Sequence, residues 1–501
     1  MIYIDGENLN LNSFVQIVLE HEKVQVDEES IKKVNTACEY VKKVVESGVP
    51  TYGINTGFGQ LSTESINKED TSTLQENLIK SHACGLGKPL DDVYVRGMLL
   101  LRINALIKGY SGIRYKVIEK MLELLNENVL PVVYSQGSLG ASGDLAPLSH
   151  MALPLIGLGE VRIDGKIYSA KEGLSKAGIK PVEGLVAKEG LALINGTQAL
   201  TSIAAVTIYY ALNLFNLSVN TLALTMEALK GITDVFDDKI HLLRNQSGQR
   251  FVASRLRDIL SDSKLTTRQG ELRVQDAYSL RCSPQVLGAS LDAINYAYDV
   301  IEKEMNAVTD NPLVFPEREE VISAGNFHGQ PLALAMDFLS IAISEIANIS
   351  ERRLERMVNS QLSNGLPPFL VKNPGLNSGF MIVQYSAASL VSENKVLAHP
   401  ASVDSISSSA NQEDHVSMGN HAARKAADIV ENAYKVVSME LLTALQAIDF
   451  NDPNKLSSRT KRIYDFIRKD IKFIEEDVLM YERIHKIESL VKAKEFIMMI
   501  N

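Results

Sequence analysis

Cysteine is scarce in this chain, with three in 501 residues. Cys38, Cys84 and Cys282 are odd in number, far apart and form no C-x-x-C pair. That excludes a disulfide framework and a thiolate metal site. A reducing compartment is the simple reading. Positive charge is not in excess either: 51 basic residues face 61 acidic ones, interspersed along the chain, for a net charge of −10. The basic stripe of a nucleic-acid-binding protein is missing, and the balance suits a soluble protein of the cytoplasm. No H-E-x-x-H occurs, and His415 and His421 are six residues apart, which is not one helical face, so no metal is assigned. No glycine-rich loop matches G-x-G-x-x-G, so no nucleotide site is expected. Met1-Ile2-Tyr3-Ile4-Asp5-Gly6 carries no basic stretch leading into an apolar run, so no secretory signal is expected. Internal repeats and low-complexity tracts are also missing.

Charge is absent altogether from residues 190–226. A membrane-spanning helix needs about 20 mostly apolar residues. Here Asn195, Gln198, Asn213, Asn216 and Asn220 interrupt the run, and no Lys/Arg cluster flanks it. It reads as a helix inside a large helical core, and no membrane partner is expected. Apolar spacing predicts that helix over 197–230, ending at Gly231 as a C-cap, and others over 285–308, 331–358, 378–398 and 416–448. In 331–358 the polar residues Asp337, Ser344, Asn348, Glu351 and Glu355 make one stripe, which predicts that the rest of the helix is buried. Short strands are expected at 1–5 and at 160–169, where Asp164-Gly165 signals a tight hairpin. The fold expected is mostly α: a mixed N-terminal region over 1–195, a central long-helix bundle over 196–450 and a charged helical region over 451–501. Helices this long and apolar need many helical neighbours, and a bundle shared between subunits is the economical way to cover them.

The most informative stretch is Gly137-Ser138-Leu139-Gly140-Ala141-Ser142-Gly143-Asp144. Ala141, Ser142 and Gly143 have almost no side-chain bulk, so the backbone can fold back on itself. The Gly143 nitrogen can then reach the Ala141 carbonyl carbon and close a five-membered ring, in dihedrals that glycine allows. Loss of water would turn Ser142 into a methylidene group, an electrophile no standard side chain provides. The tripeptide alone is weak, with a chance of occurring in such a chain of order 0.2.

Its surroundings are specific. Residues 137–149 resemble the signature of the aromatic amino-acid ammonia-lyases. The resemblance extends to Tyr52–Gly59, Ser81–Gly85, Ala192–Gln198, Val274–Cys282, Thr309–Pro312, Gly325–His328 and Ala410–His415, in family order. It implies the long-helix bundle of the ammonia-lyase/fumarase-like superfamily and a homotetramer. It also implies a methylidene-imidazolone (MIO) formed from Ala141, Ser142 and Gly143, with no external cofactor.

Elimination of ammonia needs an electrophile for the poor amine leaving group and a base for the weakly acidic β-proton. It also needs a cation for the substrate carboxylate. The resemblance gives Asp144 a part in ring closure and Tyr52 the base role. It gives Arg281 the carboxylate, Tyr278, Asn195 and Gln275 hydrogen bonds around the reacting centre, and Phe327 packing against the MIO. Read alone, Tyr52 is a satisfied loop tyrosine, Arg281 a surface or ion-pair residue and Phe327 a core side chain.

The pair Ser81-His82 is that of the histidine-specific members, where tyrosine lyases carry His-Leu and phenylalanine lyases typically Phe-Leu. Glu413 could accept an imidazole N–H, since a buried carboxylate without a partner is costly; the bland alternative is an interface salt bridge. Gly329-Gln330 departs from the Ala-Glu of some histidine-specific members. The expected activity is conversion of L-histidine to urocanate and ammonia, the first step of histidine breakdown. The rivals are the same chemistry on tyrosine or phenylalanine, a 2,3-aminomutase, or a helical scaffold without catalysis.

Overall fold

The computed structural model describes residues 1–501, with 19 α-helices and a few short strands. The chain forms two compact units. The first holds Met1–Tyr209, Ala297–Asp337 and Pro400–Arg424; the second holds Tyr210–Tyr296, Phe338–His399 and Lys425–Asn501. Every strand lies in the first unit, and the second is helical.

Ile2–Ile4 pairs in parallel with Val24–Val26. Glu160–Ile163 and Lys166–Ser169 form the hairpin that Asp164-Gly165 signals, with Ile163 opposite Lys166. Both turn residues adopt positive φ, 47° and 75°, the geometry a two-residue hairpin of this hand requires. A second hairpin, Leu313–Phe315 with Glu320–Ile322, carried no comparable turn signal; its corner is a short 3₁₀ segment, Pro316–Arg318.

The uncharged stretch is the helix Gln198–Ala228, and its most apolar window is 78% buried inside the protein, the behaviour of a core helix. Its end departs from expectation. Lys230, not Gly231, takes the left-handed conformation, at φ 51°. The Lys230 N–H donates to Glu227 O and the Gly231 N–H to Met226 O, a Schellman closure one residue earlier than read. Glycine at 231 serves close approach instead: a Cβ there would lie 2.4 Å from Met226 Cε.

The helices Ser283–Met305, Gln330–Val358, Met381–Leu397 and Gly419–Asp449 follow the predicted spans to within a few residues. The polar stripe of Gln330–Val358 is only partly the exposed one: Asn348 is exposed, and Ser344 and Glu355 are half-buried. Asp337 and Glu351 are buried. Asp337 accepts the Ser402 N–H at 2.7 Å, and Glu351 accepts Gln384 Nε2 at 2.6 Å. The side chains left in solvent include Phe338 and Ile341. Polarity marks the exposed face of a helix only where polar groups lack internal partners, and Asp337 and Glu351 have them. In the second unit the buried Arg353 forks onto buried Glu440 at 2.6 and 2.7 Å, with Thr225 and Ser350 completing its hydrogen bonds. A buried ion pair is tolerated only with such added partners.

Candidate active site

The loop 137–144 is held against the start of helix Gln198–Ala228. Gly143 and Gly196 pair as a parallel bridge, backbone on backbone. Gly143 sits at φ 75°, and a Cβ there would lie 2.1 Å from Gly196 O. Glycine is therefore required twice over, by dihedral and by space. The Asp144 N–H donates to Gly196 O at 2.7 Å. The Asp144 carboxylate, fully buried, accepts the Leu200 N–H at 2.8 Å, Ser138 Oγ at 3.0 Å and Asn420 Nδ2 at 3.4 Å. Leu200 is in the first turn of its helix, where free N–H groups and the dipole favour an anion. Burial nonetheless dominates and pushes the Asp144 pKa up to about 6, with those hydrogen bonds opposing it.

Ser142 faces the other way. Its hydroxyl donates to Glu413 Oε1 at 3.1 Å, and its carbonyl accepts Asn195 Nδ2 at 3.1 Å. Asn195 Oδ1 is buried with no partner. These groups border a cavity of about 500 Å³ that Tyr52, Phe58, Ser81, His82, Ser142, Leu191, Asn195 and Glu413 help to line. Burial pushes the Tyr52 hydroxyl up; a hydrogen bond with the Gly59 backbone pulls it down, and the Glu413 charge pushes it up again. Burial pushes His82 down, against a backbone hydrogen bond at Leu78 and the Glu413 charge. Ser81 Oγ and His82 Nδ1 are 2.9 Å apart. All the lining residues belong to the first unit.

Thus Tyr52, His82, Ser142, Asn195 and Glu413 come together, with Ala141, Gly143 and Asp144 on the loop that carries Ser142. Phe327, half-buried before helix Gln330–Val358, does not line the cavity. Gln275, Tyr278 and Arg281 belong to the second unit. Gln275 and Tyr278 are exposed, Tyr278 to 70%. The Arg281 guanidinium stacks over the Tyr278 ring at 4.6 Å, and its Nε has no partner.

Sequence reasoning missed a buried charged cluster that supports the Asn195-Gly196 segment. Lys188 Nζ bonds Asp310 Oδ2 at 2.7 Å, and Arg102 approaches Asp310 Oδ1 at 4.0 Å. Arg102 donates to Ala192 O at 2.8 Å and to Gln198 Oε1 at 3.0 Å, and Gln198 Nε2 donates to Thr309 Oγ1 at 2.7 Å. A Cβ on Gly196 would lie 2.4 Å from Gln198 Oε1 and 2.5 Å from Arg102 Nη1. The segment that clamps the reactive loop therefore lies flat on this cluster. Burial pushes Lys188 down and Arg102 to about 10, each opposed by Asp310. The only sequence signal was Thr309-Asp310-Asn311-Pro312, which gave no role.

Residues 9–469 match the family model described as aromatic amino acid lyase. A curated histidine ammonia-lyase of Alkaliphilus metalliredigens is 54% identical over 490 residues, covering 98% of this chain and 96% of its own. The crystal structure of histidine ammonia-lyase from Trypanosoma cruzi superposes with a TM-score of 0.93 at 41% identity, over 99% of this chain and 94% of that one. A tyrosine aminomutase from Streptomyces globisporus superposes at 0.96 with 36% identity, over 100% of this chain and 98% of that one. The fold is thus shared by proteins named for different reactions. The chain belongs to the aromatic amino acid lyase family.

Proposed function

We propose that the protein is a histidine ammonia-lyase, which eliminates ammonia from L-histidine to give urocanate. The observation that carries this is the placing of Ser142, on a loop clamped by paired glycines, at a cavity shared with Tyr52, His82 and Glu413. Curated relatives of that name at over half identity and near-full length support the substrate.

The residues fit an MIO made from Ala141, Ser142 and Gly143. Gly143 holds a positive φ in a cradle a Cβ would fill, and the Ser142 carbonyl, which such a ring retains, is already held by Asn195. Asp144 anchors the C-terminal side of the tripeptide through Gly196 and Leu200. When formed, the group supplies an electrophilic carbon for the substrate amine. The rest falls to ordinary side chains. Tyr52 takes the β-proton. The hydrogen bond at Gly59 favours its phenolate, while burial and Glu413 oppose it. His82 and Glu413 hydrogen-bond the imidazole. Arg281 grips the carboxylate with its two-pronged fork. Gln275 and Tyr278 hydrogen-bond around the reacting centre, and Phe327 packs against it.

Because exposed Gln275 and Tyr278 and half-buried Arg281 belong to a different unit from the residues that line the cavity, we infer that subunits share the site in a cytoplasmic homotetramer. Exposed Phe338 and Ile341, with Ile382 and Tyr385, offer apolar surface for that assembly. Two measurements test the proposal. Intact mass should show two waters lost from the chain. Ultraviolet absorbance across a panel of amino acids should show urocanate formed fastest. Faster release of cinnamate or coumarate at equal substrate concentration would sink the histidine assignment.

A further inference from the structure

Glu413 closes a turn of unusual backbone. Ser409, Ala410 and Asn411 follow one another at φ 49°, 51° and 70°. Non-glycine residues rarely adopt this region singly, and a run of them costs free energy that the surroundings must offset. The offset is visible. Ser408 N–H donates to Glu413 O at 2.9 Å, and the Asn411, Gln412 and Glu413 N–H groups fold back onto Ser408 O and Ser409 O. The turn then touches the cavity at two places. Ser409 packs on Gly59, where a Cβ would lie 2.6 Å from Ser409 Oγ, and the Gly59 backbone holds the Tyr52 hydroxyl. Ser408 Oγ donates to Glu413 Oε2 at 2.9 Å, while Glu413 Oε1 takes the Ser142 hydroxyl.

We propose that Ser408 is a positioning residue: its hydroxyl pins one carboxylate oxygen of Glu413 and so aims the other at Ser142 and the cavity. A carboxylate on a free two-carbon stem has several rotamers. One hydrogen bond to the outer oxygen, on a backbone already fixed by the turn, selects the rotamer that faces the substrate. The inference rests on the reading of Glu413 as a substrate-facing group.

The experiment compares Ser408→Ala, Ser408→Thr, Glu413→Gln and the double variant Ser408→Ala/Glu413→Gln in the full-length protein. Ser408 sits in extended backbone at φ −139°, so alanine and threonine both fit. Rates are read on whichever amino acid the parent protein turns over best, so a wrong substrate and a wrong role for Ser408 give different results. Ser408→Ala should lose two waters as the parent does and unfold at a similar temperature. Its kcat/KM should fall roughly 10- to 100-fold, the worth of a hydrogen bond to a charged group. Threonine should restore most of that. In the Glu413→Gln background the same alanine substitution should cost less than about threefold, since the group it positions is already impaired. A general structural role for Ser408 would instead lower stability and give losses that multiply. The proposal is overturned if Ser408→Ala turns over within about threefold of the parent, or if its loss is undiminished in the Glu413→Gln background.

Discussion

The residues proposed to act on the substrate stand in two different settings. Tyr52, His82, Ser142, Asn195 and Glu413 line a cavity whose walls the first unit supplies; Ser142 and Glu413 bond each other there, and Asn195 Oδ1 is buried without a partner. Gln275, Tyr278 and Arg281 stand on the second unit with bonding capacity unspent: Arg281 Nε and nearby Gln285 Oε1 are buried without partners. Buried polar atoms are rarely left so in a finished structure. The segment that carries them is nevertheless well anchored, because buried Asp276 ties the Ile232 N–H and the Arg273 guanidinium together. The difference teaches that the groups proposed as electrophile and base belong to one unit, whereas the proposed carboxylate grip belongs to the other.

The largest expected effect tests the cavity side. Ser142→Ala removes the hydroxyl that would leave as water, so its Cβ cannot become the methylidene carbon, and in the unprocessed chain it costs only the hydrogen bond to Glu413. It should fold and assemble normally yet lose on the order of 10³-fold or more in turnover, the scale of losing a covalent catalytic group. Borohydride or cyanide should inactivate the parent and leave no comparable modification on the variant. Near-normal turnover would end the MIO reading.

The next effect breaks the comparison itself. If the two settings meet only across subunits, separately inactive Tyr52→Phe and Arg281→Met proteins should complement when mixed, unfolded and reassembled. A random mixture restores roughly a quarter of the sites when each draws those two residues from different subunits. No recovery, or a fully active monomer by light scattering, would place both groups in one chain. Arg281→Lys should weaken all amino-acid ligands alike, because a point charge cannot make the two-pronged contact.

What was legible in the sequence follows the same division between local and distant causes. The Asp164-Gly165 hairpin and the long helices each depend on neighbours in the chain, and each lies where local rules place it. The Lys188–Asp310–Arg102 cluster does not. Its members are far apart in sequence, and each alone reads as an ordinary surface charge; only the fold shows that they are buried together. The polar face of helix Gln330–Val358 failed at two positions for a related reason, since the partners that bury Asp337 and Glu351 come from other segments. Lys230 displaced Gly231 from the helix cap because the helix ends one residue earlier than its apolar spacing suggests.

A smaller effect sharpens the account of substrate choice. His82 lines the cavity wall with Ser81, and its ring is partly desolvated. His82→Leu should leave binding of a generic amino-acid carboxylate nearly intact. It should lower kcat/KM for histidine by about 5- to 150-fold, the range for losing one buried hydrogen-bond partner. An equal loss on all aromatic amino acids would show that His82 serves the fold and not the imidazole.

The smallest effect is on stability and concerns the dry side of the reactive loop. Asp144 titrates near 6 in the folded chain against about 3.9 unfolded. A raised carboxylate pKa means that the folded state holds the proton more tightly. Its contribution to stability is therefore fullest below about pH 4 and is lost as pH rises to about 6, by at most about 3 kcal/mol. Glu304, also raised by burial and by the Asp144 charge, adds a term of the same sign. Asp144→Asn keeps an oxygen that can accept the Leu200 N–H but cannot titrate. Thermal unfolding of parent and variant across pH 4 to 7 should thus show the parent losing stability relative to the variant as pH rises to about 6. Parallel curves would mean that Asp144 is charged throughout, and that its hydrogen bonds to Leu200, Ser138 and Asn420 outweigh its burial.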